Sequence, residues 1–328
     1  MKARIYTSDL QELLVENHYP NGFRAQDSTI IERKYSKDTF FGKMFYTELF
    51  FEGFRISYGD LALHRDTQFF MESDIETVEM QFTISGDMLT KDQETGMVFE
   101  QSCNQHNVFY HNGFRGTSEW SHKTRMQGFG VNLMPSFFEK YLPDNAEAFE
   151  NFKNQLYYRR TSLLSQYQLQ ITPKMFLIIK EILNSKRQEV YKKIFIEAKV
   201  IELLMLQLEQ ISEHKGDFFC SLKKTDIEKM HQVKEIILNN LSRPYSLISL
   251  AKQVGTNEYT LKKGFKEVFG TTVFGFWNEL KMQESKNLLL EQKLSVSEVS
   301  ERIGYKRPQY FSAAFKKYFG FSPSQLTG

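Results

Sequence analysis

The sequence predicts an α+β protein in three parts: a β-rich domain over residues 1–160, a helical connector over 161–224 and an all-α domain over 225–328. Three observations lead to this fold class. Between about residues 40 and 133, short runs alternate apolar with polar residues, which is the period of β-strands. Longer amphipathic stretches follow from residue 173 onward. A helix–glycine–helix pattern then occurs twice in the last hundred residues.

Size and composition are those of a two-domain globular protein. The chain has 328 residues, of which 41% are hydrophobic, enough for two separate cores. It shows no apolar run of membrane-spanning length and no secretory signal, so we expect a cytoplasmic protein. Cys103 and Cys220 form no CxxC pair, which predicts two inert buried thiols; a redox pair between them is the alternative.

The first domain is predicted to open with a helix and continue in strands. Leu10, Leu13 and Leu14 stand at helical spacing within residues 1–20. Strand patterns follow at 43–50 and 77–84, and Gly59-Asp60, Gly86-Asp87 and Asn112-Gly113 are predicted turns between strands. Many short strands at even spacing favour a β-barrel or a β-sandwich.

Helices are predicted over 135–150, 173–184 and 189–214. The last of these is rich in Leu and Ile, so it needs a partner surface. It packs either on the β domain of its own chain or on a second chain as a dimer seam, and the pattern favours neither. A polar break at 213–217 precedes a capping-box pattern, Thr225 to Glu228, that predicts the start of a further helix.

The internal repeat carries the functional prediction. The segment Ser246–Gly255 followed by Phe265 and Gly270 matches Ser295–Gly304 followed by Phe315 and Gly320. Each copy reads as a helix, a glycine where the chain turns sharply, and a second helix, which is the helix-turn-helix layout. We call the second helix of each copy its reading helix. Phe265, Phe269, Phe315 and Phe319 are predicted core residues, not DNA wedges.

Spacing and charge favour DNA as the partner of this repeat. A helix predicted over 273–290 joins the copies and spans roughly 27 Å. That length suits two successive major grooves, about 34 Å apart on one face of a duplex. Residues 226–328 carry 15 Lys and Arg against 10 Asp and Glu, a weak basic excess. A single copy of the pattern would be equally consistent with a plain helical bundle. Two copies at matched spacing favour a DNA-binding domain.

These residues resemble the AraC/XylS family of bacterial transcription regulators. The motifs that carry the resemblance lie within 226–328: the segment 246–255, Phe265-Lys-Glu-Val-Phe-Gly270, Ile303-Gly-Tyr305 and Phe315-Lys-Lys-Tyr-Phe-Gly-Phe-Ser-Pro323. The run 261–275 looks most like the branch containing pyochelin-responsive siderophore regulators. The resemblance implies that both reading helices enter the major groove and that the protein acts on promoter DNA, more often as an activator.

Carried over position by position, the resemblance implies a set of DNA-contacting residues. Lysine can donate to guanine and to phosphate, and Gln309 can pair with adenine through two hydrogen bonds. Ala313 departs from the pattern, since many members carry Arg there, so the second copy should depend more on phosphate contacts. The DNA-binding candidates are Tyr259, Thr260, Lys262, Lys263, Lys266, Arg307, Pro308, Gln309, Ser312, Ala313 and Lys316.

The resemblance also implies a cupin-like N-terminal domain that binds a small-molecule effector, such as a siderophore, or that dimerises the protein. RNA polymerase and a second copy of the chain are the further partners that it implies; no cofactor and no membrane partner are expected. The effector-binding residues stay unassigned. Arg55, Arg65, Arg115 and Arg125 are candidates for meeting an anionic group.

Two other functions remain as alternatives. A metal cupin acting as an enzyme would need clustered ligands, and His64, His106, His111 and His122 do not stand at metal-binding spacing, so we expect no metal site. No catalytic motif is recognisable, so we expect no enzyme. A constitutive DNA-binding dimer without ligand sensing is the second alternative.

Overall fold

The computed structural model describes residues 1–8, 12–23, 30–142, 147–213, 224–242, 245–290 and 292–326. The chain forms two compact units. Unit 1 comprises Met1–Ile171 and Ile178–Phe218, and unit 2 comprises Thr172–Leu177 and Phe219–Gly328. None of the described helices combines the length and apolar character that crossing a bilayer requires.

Unit 1 is built on antiparallel strands. Its described residues contain twelve of them: β1 (Lys2–Thr7), β2 (Leu13–His18), β3 (Ile31–Thr39), β4 (Gly42–Phe51), β5 (Phe54–Leu63), β6 (Thr67–Ser85), β7 (Met88–Asp92), β8 (Val98–Gln101), β9 (Gln105–Trp120), β10 (Met126–Leu133), β11 (Ser162–Leu163) and β12 (Leu169–Gln170).

The long strands β6 and β9 organise the sheet. The ladder runs β3-β4-β5-β10-β6-β9-β7-β8, with β1 and β2 attached to the first half of β6. A bulge between Ser73 and Glu76 bends β6, and Gly113 with a φ of 85° lies opposite it in β9. Side chains from both sides of the bend, among them Leu61 and Phe69, share one buried cluster. The antiparallel β domain that the strand pattern predicted is therefore confirmed, as one sheet that bends at β6.

Some sequence predictions for unit 1 are wrong. Residues Leu13 and Leu14 belong to strand β2, where Ile5 pairs with Val15, because long-range pairing overrides the helical spacing; Leu10 lies outside the described residues. Gly59-Asp60 and Asn112-Gly113 lie within β5 and β9 instead of between strands. Gly86, with a φ of 86°, does turn the chain between β6 and β7.

Four helices accompany the sheet: α1 (Pro135–Phe138), α2 (Glu147–Tyr157), α3 (Pro173–Leu183), whose first five residues belong to unit 2, and α4 (Glu189–Glu213). The inner face of α4 is buried at Ile196, Val200 and Leu203. Its Gln207 hydrogen-bonds to His106 of β9 at 2.9 Å. The interpretation that this helix packs on its own β domain is therefore confirmed for this face.

Unit 2 contains six helices among its described residues: α5 (Lys224–Asn239), α6 (Leu247–Gln253), α7 (Glu258–Phe269), α8 (Val273–Leu290), α9 (Val296–Ile303) and α10 (Pro308–Phe319). Helix α5 begins at Lys224, one residue before the Thr225 that was predicted as its cap. Phe265 and Leu280 belong to one apolar cluster, and Met282 and Phe315 to a second.

Candidate DNA-binding surface

The first helix-turn-helix unit is specified by local signals. Ser246 caps α6 through a reciprocal capping box with Ser249. Gly255, with a φ of 68°, takes the left-handed conformation that the turn requires. Asn257 then caps α7 by accepting a hydrogen bond from the amide of Thr260 at 2.8 Å. Helices α6 and α7 are therefore joined by a short turn, as the repeat predicted.

The second unit repeats this arrangement with a different start to its reading helix. Ser295 and Glu298 form the predicted capping box at α9. Gly304 has a φ of 85°, and a side chain there would overlap the backbone oxygen of Ser242. Helix α10 begins with Pro308, and its N-cap residue Arg307 makes no side-chain cap. The first amides of α10 are thus without the side-chain acceptor that Asn257 supplies in α7, and a helix start of this kind attracts anions.

The reading helix α7 has one buried and one exposed face. Leu261, Phe265 and Val268 are buried, whereas Tyr259 is 75% exposed. The cationic candidates Lys262, Lys263 and Lys266 are also exposed, and Thr260 is partly buried. Because the apolar face of α7 packs into the core, its polar face is exposed to solvent and carries a cluster of positive charge.

An acidic residue modifies this charge. The Nζ of Lys262 lies 2.6 Å from the Oε1 of Glu258, one turn earlier on α7. Within the described residues, no ion pair involves Lys263 or Lys266. Lys262 is therefore partly neutralised by its own helix, whereas Lys263 and Lys266 keep their full charge for an anionic partner.

The reading helix α10 presents a less charged face. Arg307, Pro308, Gln309, Ala313 and Lys316 are exposed, and Ser312 is partly buried. Phe311 and Phe315 fill the core beneath them. The exposed Ala313 offers only a methyl group. Cations lie at the two ends of this surface, at Arg307 and Lys316.

The structure adds two residues that sequence reasoning missed. Glu258 was overlooked although its spacing of four residues from Lys262 is the ordinary spacing of a helical ion pair. Tyr310 is 61% exposed next to Gln309 and was hidden by its position between core residues of the repeat. Both lie in the first turn of a reading helix, the part that reaches base edges in helix-turn-helix complexes.

Helix α8 joins the two units through their cores. Its first half contributes Phe276 and Leu280 to one cluster, and its second half contributes Leu288 and Leu289 to the other. One 18-residue helix is therefore packed into both helix-turn-helix cores. The separation of the two reading helices is set by a packed helix and not by a linker.

In unit 1, the candidate anion-binding arginines have different surroundings. Arg55 is half-buried against Glu48, 3.2 Å away, and Arg125 pairs with Asp60 at 2.8 Å. Arg65 lies over the ring of Phe40 and Arg115 over that of Phe70. Arg55 and Arg125 are already paired with carboxylates. Arg65 and Arg115 are therefore the better placed of the four to bind an anionic group of a ligand.

The histidines of unit 1 also have separate surroundings. His106 lies between two glutamines of α4, His111 stacks on Phe109, and exposed His122 pairs with Asp66 at 2.8 Å. Among the described residues, no three His, Cys, Asp or Glu side chains gather as a ligand set. Cys103 is half-buried and donates to the carbonyl oxygen of Ile84, while Cys220 lies outside the described part of the chain.

A cleft of about 710 Å³ opens in unit 1 between the β4–β5 turn, α1 and α4. Its floor is aromatic: Phe51 stacks on Phe54, and Phe137 meets Phe54 edge-on at 4.4 Å between ring centroids. Lys140 lies 5.6 Å over the ring of Phe137, and Lys193 is paired with Glu52. The cleft is large enough for a small molecule, and Lys140 is the lining cation among the described residues that has no carboxylate partner.

Comparison with known families accounts for most of the chain. Residues 41–217 match the family described as the regulatory protein PchR N-terminal domain, and residues 250–328 match a helix-turn-helix domain family. The first match covers more than half of the chain, and the second begins within α6 and covers the rest of both helix-turn-helix units.

Individual relatives are similar over shorter stretches. The regulatory protein PchR of Pseudomonas aeruginosa is 33% identical over 106 residues, 32% of this chain and 36% of that protein. The xylose operon regulatory protein of Escherichia coli K12 is 26% identical over 129 residues, 39% of this chain and 32% of that protein. The chain thus spans about a third of the length of these curated relatives.

Among solved structures, apo ToxT from Vibrio cholerae aligns with 84% of this chain and 97% of its own, at 14% identity and a TM-score of 0.36. A DNA-binding transcriptional dual regulator from Escherichia coli K-12 aligns with 30% of this chain and 88% of its own, at 25% identity and a TM-score of 0.28. On the strength of the two family matches, the chain belongs to the AraC family of transcription regulators, in the branch that carries the PchR-type N-terminal domain.

Proposed function

We propose that this protein regulates transcription by inserting α7 and α10 into successive major grooves of promoter DNA. The observation that carries the proposal is the shared helix α8, which is packed into both helix-turn-helix cores. Two reading helices held at a fixed separation recognise one duplex at two sites about 34 Å apart. A free linker would lose this preorganisation to conformational entropy.

The residues of α7 are proposed to supply most of the base contacts. Lys263 and Lys266 are exposed cations that donate to guanine or phosphate, and Tyr259 contacts a thymine methyl or a phosphate. Thr260 adds a contact beside them, and Lys262 is released from Glu258 when it meets the DNA backbone.

The residues of α10 are proposed to contact DNA more by phosphate than by base. Gln309 recognises adenine, and the methyl of Ala313 contacts thymine. Phosphates are held by Arg307, Ser312 and Lys316, and by the uncapped start of the helix at Pro308. We therefore expect the half-site under α7 to be the more strictly recognised of the two.

Unit 1 is proposed to sense a small-molecule effector, and the cleft floored by Phe51, Phe54 and Phe137 is its proposed site. An aromatic ligand that carries a carboxylate fits that floor together with the free ammonium of Lys140. A siderophore with a phenolate ring and a carboxylate is such a molecule. The effector would act by shifting the population between DNA-competent and incompetent arrangements.

The remaining parts of the proposal follow from a role at promoters. The protein acts in the cytoplasm, where bacterial promoters are, as an activator that contacts RNA polymerase and as a homodimer. We propose no catalytic activity. We assign the three parts as inferred from the sequence. Residues 1–160 bind an effector or dimerise the protein, residues 161–224 form a helical connector, and residues 225–328 bind DNA.

The test uses fluorescence anisotropy with the full chain, because unit 2 includes Thr172–Leu177 from upstream of the helix-turn-helix units. DNA from upstream of the protein's own gene is titrated in the presence of excess nonspecific DNA, at several salt concentrations. We compare Lys263→Ala and Gln309→Ala with Lys123→Ala, an exposed lysine of unit 1. Loss of binding in the first two variants alone supports the two-helix model.

The pattern of loss distinguishes the contacts. A variant that relaxes the preference at one base pair marks a base contact, whereas uniform weakening with a smaller salt slope marks a phosphate contact. Binding that is equal on all DNA sequences would contradict sequence-specific recognition by these helices.

Effector sensing is tested separately with ferric pyochelin as the probe. A ligand that binds only the native state raises the unfolding midpoint of the full chain. We expect a rise for the wild type and a smaller one for Lys140→Ala, with Lys123→Ala as the matched control. No rise at saturating probe would favour the constitutive DNA-binding dimer.

A further inference from the structure

The two helix-turn-helix units meet at a second place besides helix α8. Ser242 lies between α5 and the first helix-turn-helix unit, and Gly304 is the turn glycine of the second. Their backbones are so close that a Cβ at Gly304 would overlap the carbonyl oxygen of Ser242. This contact is formed by residues outside α8. The two helix-turn-helix units are therefore joined at two places and not by one helix alone.

A tryptophan of α8 holds the segment that approaches Gly304. The indole Nε1 of Trp277 donates a hydrogen bond to the carbonyl oxygen of Leu241 at 2.8 Å. The same ring packs against the apolar cluster of the first helix-turn-helix unit and lies 5.7 Å from the ring of Tyr245. Trp277 therefore fixes the position of Leu241 and of the neighbouring Ser242 relative to α8.

A lysine of α8 lies between aromatic rings of the two helix-turn-helix units. The Nζ of Lys281 is 4.3 Å from the ring centroid of Trp277 and 5.5 Å from that of Tyr305. Tyr305 directly follows Gly304 and packs against the cluster of the second helix-turn-helix unit. An ammonium group at these distances is attracted to the faces of both rings. Lys281 therefore connects the edge of one core to the edge of the other.

The charge of Lys281 depends on these rings. Its side chain is partly buried, desolvation lowers its pKa, and within the described residues no ion pair involves it. An ammonium that loses water without gaining a carboxylate is stabilised mainly by the rings that it faces. Lys286 of the same helix provides a contrast, because it lies 5.6 Å from the ring of Phe319, within the second helix-turn-helix unit alone.

We propose that Lys281 is a positioning residue that fixes the separation and angle of α7 and α10, by holding Trp277 and Tyr305 together. The proposal rests on the proposed function in one respect, that both reading helices bind one duplex. A single helix can bend and twist along its length, whereas a second attachment resists both motions. We call this second attachment the junction; it consists of Leu241, Ser242, Trp277, Lys281, Gly304 and Tyr305.

The junction makes Lys281 a determinant of half-site spacing, although the residue itself contacts no base. One turn of the duplex holds about 10 to 10.5 base pairs, so each inserted base pair rotates one half-site by roughly 35° relative to the other. Reading helices held at one angle cannot follow that rotation. If the junction is loosened, α10 can follow its displaced half-site, and the protein accepts more than one spacing.

The first experiment measures the distance between the two helix-turn-helix units in the full chain without DNA. Nitroxide labels are placed at Lys252→Cys on α6 and Glu301→Cys on α9, two exposed positions, in a Cys103→Ser, Cys220→Ser background. Double electron–electron resonance should give one narrow distance distribution for the wild-type junction. Lys281→Gln should broaden it, because the amide carries no charge for the rings to attract.

Two variants make this measurement specific. Lys281→Arg keeps a cation over the rings and should restore the narrow distribution. Lys286→Gln removes the same charge from the same helix and should leave the distribution narrow. A distribution as narrow in Lys281→Gln as in the wild type, or equal broadening in Lys286→Gln, would overturn the junction. If circular dichroism shows Lys281→Gln to be unfolded, Tyr305→Leu removes the second ring instead and provides the same comparison.

The second experiment measures the tolerance of spacing on DNA. Footprinting locates the half-sites upstream of the protein's own gene, and one base pair is inserted between them. The insertion should raise the wild-type Kd by about tenfold or more, the cost of misplacing contacts in one half-site. In Lys281→Gln the same insertion should raise Kd only about twofold, while Lys281→Arg and Lys286→Gln should respond as the wild type does.

The outcomes separate the junction from DNA binding. A Lys281→Gln variant that is as sensitive to the insertion as the wild type overturns the positioning role, even if its affinity for both DNAs is lower. A wild-type chain without any DNA preference overturns the proposed function, and the label distances then decide the junction alone. Broadening in Lys281→Gln that Lys281→Arg reverses supports the junction in either case.

Discussion

Gln207 donates a hydrogen bond from its Nε2 to the Nδ1 of His106 at 2.9 Å, and this contact joins α4 to the sheet of unit 1. The other ring nitrogen, Nε2, lies 2.9 Å from the Oε1 of Gln210 and donates to it. The two glutamines therefore hold the neutral ring with its proton on Nε2, since a protonated ring could not accept from Gln207. Burial lowers the pKa of His106 to about 4, while the Gln210 contact opposes this shift.

Unit 1 should lose stability on acidification. The unfolded chain takes up a proton at His106 near pH 6.5 and the folded chain only near pH 4, so this contribution is complete above about pH 6.5 and is lost toward pH 4. His106→Gln should remove roughly 3 kcal/mol of this dependence. Urea unfolding followed by Trp120 fluorescence in a Trp277→Phe background measures unit 1 alone.

His64→Gln, which changes an exposed ring, is the matched control for this experiment. Largely buried His111, whose pKa is also lowered by desolvation, leaves some pH dependence in the variant. An unchanged slope in His106→Gln between pH 4 and 6.5 would show that the ring is accessible to protons in the folded state.

Glu48 should be the carboxylate of unit 1 that is most costly to neutralise. Its side chain is buried and accepts from the hydroxyl of Tyr19 at 2.7 Å, from Arg33 at 3.1 Å and from Arg55 at 3.2 Å. Glu48→Gln leaves two guanidinium groups without their carboxylate and should cost roughly 3–5 kcal/mol. Glu52→Gln, at the exposed pair with Lys193, should cost less than about 1 kcal/mol. Equal costs by urea unfolding would contradict this ranking.

The two turn glycines of unit 2 should differ in their tolerance of alanine. Both have positive φ, so each alanine is strained. At Gly255 the new methyl meets open space, whereas at Gly304 it meets the backbone oxygen of Ser242. Gly304→Ala should therefore cost at least about 2 kcal/mol more than Gly255→Ala. Unfolding followed by Trp277 fluorescence in a Trp120→Phe background measures the difference; a reversed order would refute the close approach.

Glu258 should restrain DNA binding. Glu258→Gln frees Lys262 from its pair and removes one negative charge from the reading helix, so affinity should rise a few-fold at low salt. The slope of log K against log salt should steepen by about one unit. Glu301→Gln, an equal charge change on the exposed side of α9, is the control for net charge. Weaker binding to the preferred site alone would instead mark Glu258 as a contact to cytosine.

Local signals made the helix-turn-helix units predictable. Capping residues such as Ser246 and Ser295, and turn glycines such as Gly304, act on neighbours three or four residues away, so the sequence alone reveals them. The exposed face of each reading helix could likewise be predicted, from the helical spacing of its apolar residues. The pair of Glu258 with Lys262 was missed although its spacing of four residues is visible in the sequence.

Long-range pairing explains what the sequence did not reveal in unit 1. Ile5 pairs with Met71, so β1 depends on a strand more than sixty residues away, and the helical spacing of Leu13 and Leu14 in its neighbour β2 was misleading. Gly59 lies between Tyr46 and Gly128 in the ladder, so it belongs to the interior of a strand and not to a turn. Likewise, only the folded sheet shows which apolar residues of α4 are buried and which, such as Ile194, are left outside.

The pairing of β6 with β9 also determines how long one edge of β6 stays unpaired while the protein is made. Thr67 finds its partner Trp120 only after about fifty further residues, which takes roughly 3–10 s on a ribosome that adds about 5–20 residues per second. Until then Phe69 and Phe70 are exposed on an unpaired strand edge, which invites aggregation. Unit 2 relies on contacts close in sequence and should fold much faster. The solubility of the newly made protein therefore depends on how long the edge of β6 stays unpaired.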